Sequence, residues 1–527
     1  MKVFQIWILL LIFIQIETVI SFKCGTDSLK IKPKLLNEKQ NDKTSSILKD
    51  TAYTPIKMAF DFTTLQKPSS MSSATFDNVK SILRDTRIEF SKFLQVQHSS
   101  IDLEGYLDRI MNDCGLSTIG AGYEDFLIDN DIIIFPQFDS LSTGVIAAAA
   151  PCILANNYRP VAGVVYINTN LNFDKTNVEF YMKNILLHEI THILVFHPAL
   201  FDLLHMNTTS GGISYIRSTN AVQKAQNHFG CSSLTRIPLE NQGGSGSAGS
   251  HWESRYMLGD YMVSTDYPDA AISDITLALF EDTGFYKVKE YSGGLFKFGK
   301  NKGCSFFSER CVSNGVANFE EFCTTSGEGK CSSSRAIKSS CYSSGYSTAD
   351  NCAVAYESHS SSSYYQRHCR YGTKSESLEV MGESSFCFMS SLNQGTTAVS
   401  SRPVCYAVSC DTDNSKIVIT VGSTTISCND ETVSNVSGFS GSIICPKYSE
   451  LCASPTSDKK VYNDMYNIFT KKAADDSYTY PTSYDDYTGN SLYEDADDNI
   501  TPVSRSDDYN IKINLILLAF GLLLFII

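Results

Sequence analysis

The chain has 527 residues, a formal net charge of −14 and a pI near 5.2. That length allows about two or three domains with cores of their own. The acidic balance argues against a nucleic-acid partner, which needs a basic footprint, and says little about the fold.

In chain order, "MKVFQIWILLLIFIQIETVISFKC" opens with Lys2, an apolar run from Phe4 to Ile16, and small or polar residues near Ser21. This predicts a secretory signal peptide over 1–21. A retained anchor helix is the alternative, for which the run is short. Residues 22–50 are polar and rich in Lys and Asn, which predicts a short pro-segment with few core-forming residues. "YTPIKMAFDF" (53–62) alternates like a first strand. Residues 75–96 carry Val79, Ile82, Leu83, Ile88, Phe90, Phe93 and Leu94 at helical spacing, which predicts a long amphipathic helix. "DFLIDNDIIIFPQF" and "VAGVVYIN" are expected as buried strands. A helix is expected next, from about Val178 to Val195, so the fold class is α+β.

Residues 198–300 should form a small central domain with the loop "NQGGSGSAGS" and a second amphipathic helix, "DITLALFEDTGF". From 301 to 455 the chain is rich in Cys, Ser and Tyr, with strand-like pieces such as "SKIVITVGSTTIS". This predicts a disulfide-stapled domain with a thin core. Residues 456–508 form an acidic stretch expected to be a disordered stalk. The tail, 509–527, contains "NIKINLILLAFGLLLFII" after a polar spacer. That pattern predicts a GPI-attachment signal, with Asp497, Asp498 or Asn499 as candidate attachment positions. A plain C-terminal membrane anchor is the alternative. The expected location is the extracellular face of the plasma membrane.

Of 17 cysteines, 13 fall between Cys304 and Cys452. Entry to the secretory pathway makes disulfides the expectation. An odd count leaves at least one cysteine over, and Cys24, far from Cys114, is the outlier. Cys114–Cys152 is the expected pair outside the Cys-rich region. Asn207, Asn435 and Asn499 head N-glycosylation sequons.

The chemistry concentrates in "NILLHEITHILVFHP", residues 184–198. On a helix, His188 and His192 share a face and can hold one metal ion. Glu189, one step round, is placed to reach a water activated by that metal. Zinc lowers the pKa of such a water, and the glutamate can take its proton and pass it to a leaving amine. That is peptide-bond hydrolysis, with protein or peptide substrates. An inert apolar helix would avoid burying Glu189 and Thr191. A catalytic zinc takes a third protein ligand. His197 lies one residue short of the compact HExxHxxGxxH position, which Pro198 occupies. His251, after the Gly-rich loop, is the better candidate, and Met262 follows it as a candidate Met-turn residue.

Seven separated blocks carry a resemblance: "LLHEITHILVF", "NAVQKAQNHFGCSSL", "LENQGGSGSAGSHWESR", "DYMVS", "ITLALFEDTGFY", "GCSFFSERC" and "IICPKYSELC". Their order and spacing over roughly 100–455 resemble the leishmanolysin family of surface zinc metalloproteases, in the metzincin clan. The resemblance implies a metzincin-like catalytic domain over 51–197, a central domain over 198–300 and a disulfide-rich C-terminal domain over 301–455. It implies one Zn2+ held by His188, His192 and His251, Glu189 as general base and Met262 as the Met-turn residue. Cys24, in "FKCGTDSL", sits where the family places the pro-segment cysteine that blocks the zinc.

Two departures stand out. The family has glycine in HExxHxxGF, where this chain has Val195, and glycine accepts the left-handed backbone that ends the helix. The proline usual after the Met-turn methionine is replaced by Val263. The competing reading is therefore an inactive surface glycoprotein on a metalloprotease scaffold, serving adhesion or antigenic display.

Overall fold

The computed structural model describes residues 24–452, except 26–28, 30, 37–48, 100, 102, 104, 118, 120–128, 143, 171–177, 243, 245–246, 266–269, 289–295, 326, 342–348, 357–363, 371, 373–377, 383 and 435. The expected signal peptide, acidic stalk, GPI signal, Asn435 and Asn499 lie outside the described residues.

A five-stranded sheet organises the N-terminal part. Its order is Lys34–Leu35, Ala147–Leu154, Pro160–Asn168, Ile132–Asp139 and Met58–Phe60. Ala147–Leu154 runs antiparallel to Pro160–Asn168, and the remaining pairs are parallel. Successive residues of a strand point to opposite faces. Ile132, Ile134, Val165 and Ile167 belong to one core, and Ile133, Phe135, Val161 and Val164 to another. Burial on both faces explains why these strands read as continuous apolar runs.

Two helices cover the first face. Ser73–Phe93 starts at Ser72, whose hydroxyl accepts from Thr75 N at 3.1 Å, and buries Val79, Ile82, Leu83, Phe90 and Phe93. It packs against Val178–Leu194, the helix that carries the histidines. That second helix sits close on the sheet: a Cβ on Gly163 would lie 2.3 Å from Ile193 Cγ2. Glycine at 163 therefore sets how near the histidine helix approaches. The other face is covered by Leu107–Cys114, tied to the sheet by Cys114–Cys152.

Two expectations need correction. The single strand expected over 53–62 is two strands in different sheets. Lys49–Pro55 pairs with Leu94–Ser99, which also pairs with Tyr286–Val288, whereas Met58–Phe60 joins the large sheet. The switch is held by Ile56 N–H donating to Leu94 O and Lys57 N–H donating to the Asp131 carboxylate. The stretch expected over 22–50 is also more than a polar arm. Lys34–Leu35 adds an edge strand beside Ile153–Leu154, and Leu36 is buried.

One apolar core runs from Ile56 to Val354, across the boundaries expected at 197/198 and 300/301. Phe306 and Phe322 carry it into the Cys-rich region. Beyond it, a six-stranded antiparallel sheet takes the order Thr424–Cys428, Lys416–Val421, Arg402–Asp411, Ser385–Ser390, Ser442–Ile444 and Thr432–Ser434. Its own core holds Phe388, Val404, Tyr406, Ile417 and Ile419. Eight disulfides account for sixteen cysteines, Cys114–Cys152 among them, and Cys24 stands outside them. Among the described residues no helix is long and apolar enough to cross a membrane.

Candidate metal centre

The histidine helix is apolar almost all round, so it is buried on several sides and delivers its few polar groups to one place. His188 and His192 lie one turn apart on one face. The third histidine arrives by a closed loop. Leu239 and Trp252 form an antiparallel bridge, Glu240 N–H donates to His251 O at 2.9 Å, and Gly249 N–H donates to Glu240 O at 2.8 Å. Gly249 has φ +84°, a conformation that needs no Cβ.

The three imidazoles converge. His192 Nε2 lies 3.0 Å from His188 Nε2, which lies 3.2 Å from His251 Nε2. Each Nδ1 faces a main-chain carbonyl: Tyr261 O for His188 at 2.5 Å, Phe196 O for His192 at 2.7 Å and Ser247 O for His251 at 3.0 Å. A carbonyl can only accept, so each Nδ1 carries the proton and each Nε2 presents a lone pair. The His188 lone pair lies about 3 Å from those of both His192 and His251, and such lone pairs repel unless a cation lies among them. In a tetrahedral zinc site the nitrogen–nitrogen edge is about 3.4 Å, so the donor set fits a zinc ion. Burial first, and then His188 and His251, hold the His192 pKa well below its ordinary value. Burial and then His188 do the same to His251. Both are therefore neutral, the state that ligates metal.

Cys24 completes the cluster. Its Sγ lies 3.3 Å from His192 Nε2 and 3.5 Å from Glu189 Oε2. The four ligand atoms of Cys24, His188, His192 and His251 all lie within 4.8 Å of one another. Glu189 is 1% exposed. Met262 is fully buried and tied to the residue after the third histidine, since Trp252 N–H donates to Met262 O at 3.0 Å. The Asp260 carboxylate accepts from Met262 N at 2.7 Å and fixes this turn without the proline.

His197 lies outside the cluster. Its Nδ1 accepts from Ala199 N at 3.2 Å and caps the helix Pro198–Leu203, and burial lowers its pKa to about 4. Val195 needs no left-handed backbone. Instead, Thr191 O accepts from both Val195 N and Phe196 N, each at 2.9 Å, a final turn one residue wider than α. That turn aims Phe196 O at His192 Nδ1 while Val195 stays fully buried. The third sequence-predicted feature, Asn207, starts the strand Asn207–Ser210, and its Nδ2 donates to Asp202 Oδ1 at 2.6 Å.

Sequence reasoning missed two buried carboxyl groups at the ends of the third-histidine loop, Glu240 and Glu253. Burial and then the Glu253 carboxyl push Glu240 up to about 9, and burial and then Asp350 push Glu253 up to about 8. It also missed the three carbonyls on Nδ1, because any residue type can supply a main-chain acceptor.

The chain is similar to known proteins over much of its length. The leishmanolysin (peptidase M8) family model matches residues 94–459. A leishmanolysin homolog of Crithidia fasciculata is 28% identical over 381 residues, covering 65% of this chain and 58% of that protein. Leishmanolysin of Leishmania chagasi is 27% identical, covering 63% and 61%. The ciliated left-right organizer metallopeptidase of Danio rerio is 29% identical, covering 60% and 54%. The chain thus spans about three-fifths of the length of the first curated relatives it matches. The matched span runs through both halves of the histidine cluster and on through the last disulfide, and on that ground the chain belongs to the leishmanolysin family.

Proposed function

We propose that this chain is a zinc-dependent endopeptidase that acts on protein or peptide substrates in the secretory pathway and outside the cell. One observation carries the reading: three imidazoles present Nε2 to a common point, with the Glu189 carboxylate close to it. His188, His192 and His251 would hold the metal. Zinc bound there supplies Lewis acidity to the scissile carbonyl and to the attacking water. Glu189 takes the water's proton on a carboxylate oxygen and returns it to the leaving amine. The three Nδ1–H bonds keep the rings oriented, and Met262, buried in the turn after the third histidine, would serve as the Met-turn residue. The eight disulfides fit an oxidising compartment.

In this reading Cys24 keeps the enzyme latent. Its sulfur occupies the place between His192 and Glu189 that the water needs. The pro-segment is held along the sheet edge by Gly25 N–H on Ala147 O and Leu36 N–H on Leu154 O, and by the Lys34–Asp113 ion pair at 2.6 Å. Attachment to the membrane rests on residues 509–527 of the sequence alone, and release by a phosphatidylinositol-specific phospholipase C tests it.

The deciding experiment measures metal content and casein cleavage after removal of the pro-segment, for wild type and Glu189→Ala. We expect about one zinc per chain in both, and cleavage lower by about 10²–10⁴-fold in the variant. Folded wild type that takes up no zinc sinks the reading. Cys24→Ser should cleave without processing, and unchanged latency there removes the switch.

A further inference from the structure

We propose that Tyr261 and Thr191 form a positioning pair that ties the Met262 turn to the histidine helix and thereby holds the Tyr261 carbonyl on His188. The inference rests on the zinc reading above and deepens it.

Tyr261 bonds one helix twice. Its main-chain carbonyl accepts from His188 Nδ1 at 2.5 Å, and its hydroxyl lies 2.8 Å from Thr191 Oγ1. Thr191 has a single hydroxyl proton, and that proton goes to Leu187 O at 2.8 Å. The Tyr261 O–H is therefore the donor of the Thr191 bond. Both contacts are buried, with Thr191 at 0% and Tyr261 at 6% exposure.

A threonine in mid-helix that bonds back to the preceding turn slightly destabilises the helix. Its place inside the HEITH motif is explained when the free lone pairs serve a second partner. The aromatic ring is a rigid spacer between hydroxyl and backbone, so the Thr191 contact sets how far the turn stands from the helix. The turn is clamped from the other side as well. Asp260 accepts from Met262 N at 2.7 Å, Ser273 N at 3.1 Å and Thr276 Oγ1 at 2.8 Å. Asp260 fixes the turn to the following helix, and Tyr261 fixes it to the histidine helix. Groups that orient a metal ligand through its other nitrogen alter metal affinity by about 10–100-fold when lost.

The test uses the full chain after pro-segment removal, loaded with Zn2+ for affinity and with Co2+ for its visible spectrum. Tyr261→Phe keeps the ring and the carbonyl and removes only the hydroxyl. We expect zinc retention against a chelator to fall about tenfold, the Co2+ bands to shift, and kcat to drop with KM unchanged. Thr191→Val should give the same loss, the double variant no further loss, and Thr191→Ser should recover wild-type behaviour. If Tyr261→Phe keeps the wild-type Co2+ spectrum and zinc retention, even with a lower melting temperature, the pair is packing only and the inference falls. If wild type binds neither metal, the zinc reading fails first and takes this inference with it.

Discussion

The histidine region and the Cys-rich region solve the same problem in different ways. Residues 178–282 are held by a large apolar core in which Trp252, Phe196, Phe201 and Phe280 are fully buried. Several polar groups in that core bond to one another or gather at the histidine cluster. Trp252 Nε1 donates to Thr276 Oγ1 at 2.8 Å, for example, and Thr276 in turn donates to Asp260. The six-stranded region beyond residue 378 has a smaller core, and covalent links close it, including Cys410–Cys452 and Cys428–Cys445. Burial in a dry core gives a site where hydrogen bonds are strong and pKa values move. Cross-links stabilise chiefly by restricting the unfolded chain, and demand little of the side chains around them. The histidine cluster sits in the first region.

The sharpest way to break the comparison is to cut a cross-link. Cys410→Ser with Cys452→Ser should destabilise the six-stranded sheet by about 2–4 kcal/mol in thermal unfolding, while zinc content stays at the wild-type level. Zinc loss at temperatures where the first region is still folded would show the two regions to be coupled.

A smaller effect tests how the helix ends. Val195 is fully buried and its backbone needs no glycine. Val195→Gly should therefore cost about 2 kcal/mol, from lost apolar burial and added backbone freedom, with no gain in cleavage rate. A faster enzyme would mean that valine constrains the site.

A third test is one of pH. Glu240 and Glu253 hold protons in the folded chain up to about 9 and about 8, whereas an unfolded glutamate loses its proton near 4.5. Folded pKa values above unfolded ones mean stability that is complete below about pH 4.5 and is lost as pH rises toward 8 and 9. The melting temperature should fall across that window, and Glu240→Gln should flatten the slope. A variant with the wild-type slope would show that the pair does not govern it.

Much of the fold and the site was legible from local pattern. The spacing of Val79, Ile82, Leu83 and Phe90 matches the helix Ser73–Phe93, and the apolar run around Val164 matches a strand buried on both faces. The strand Ala147–Leu154, "AAAAPCIL", was not legible, because alanine favours helix and only its neighbours in the sheet override that. Nor was the division of 53–62 between two sheets, which depends on the distant Asp131 and Leu94.

By itself the sequence determined the residue types and periods: an α+β chain, two histidines one helical turn apart, a glutamate beside them, and an odd cysteine near the start. These are local facts, set by backbone geometry over a few residues. Tertiary structure alone decided that Cys24 and His251, far from the helix in sequence, come within 4.8 Å of the ligand atoms on it. It also decided that the helix ends without a glycine, and that three carbonyls fix three ring tautomers. Those outcomes depend on how distant segments close over a shared core, which no local pattern records.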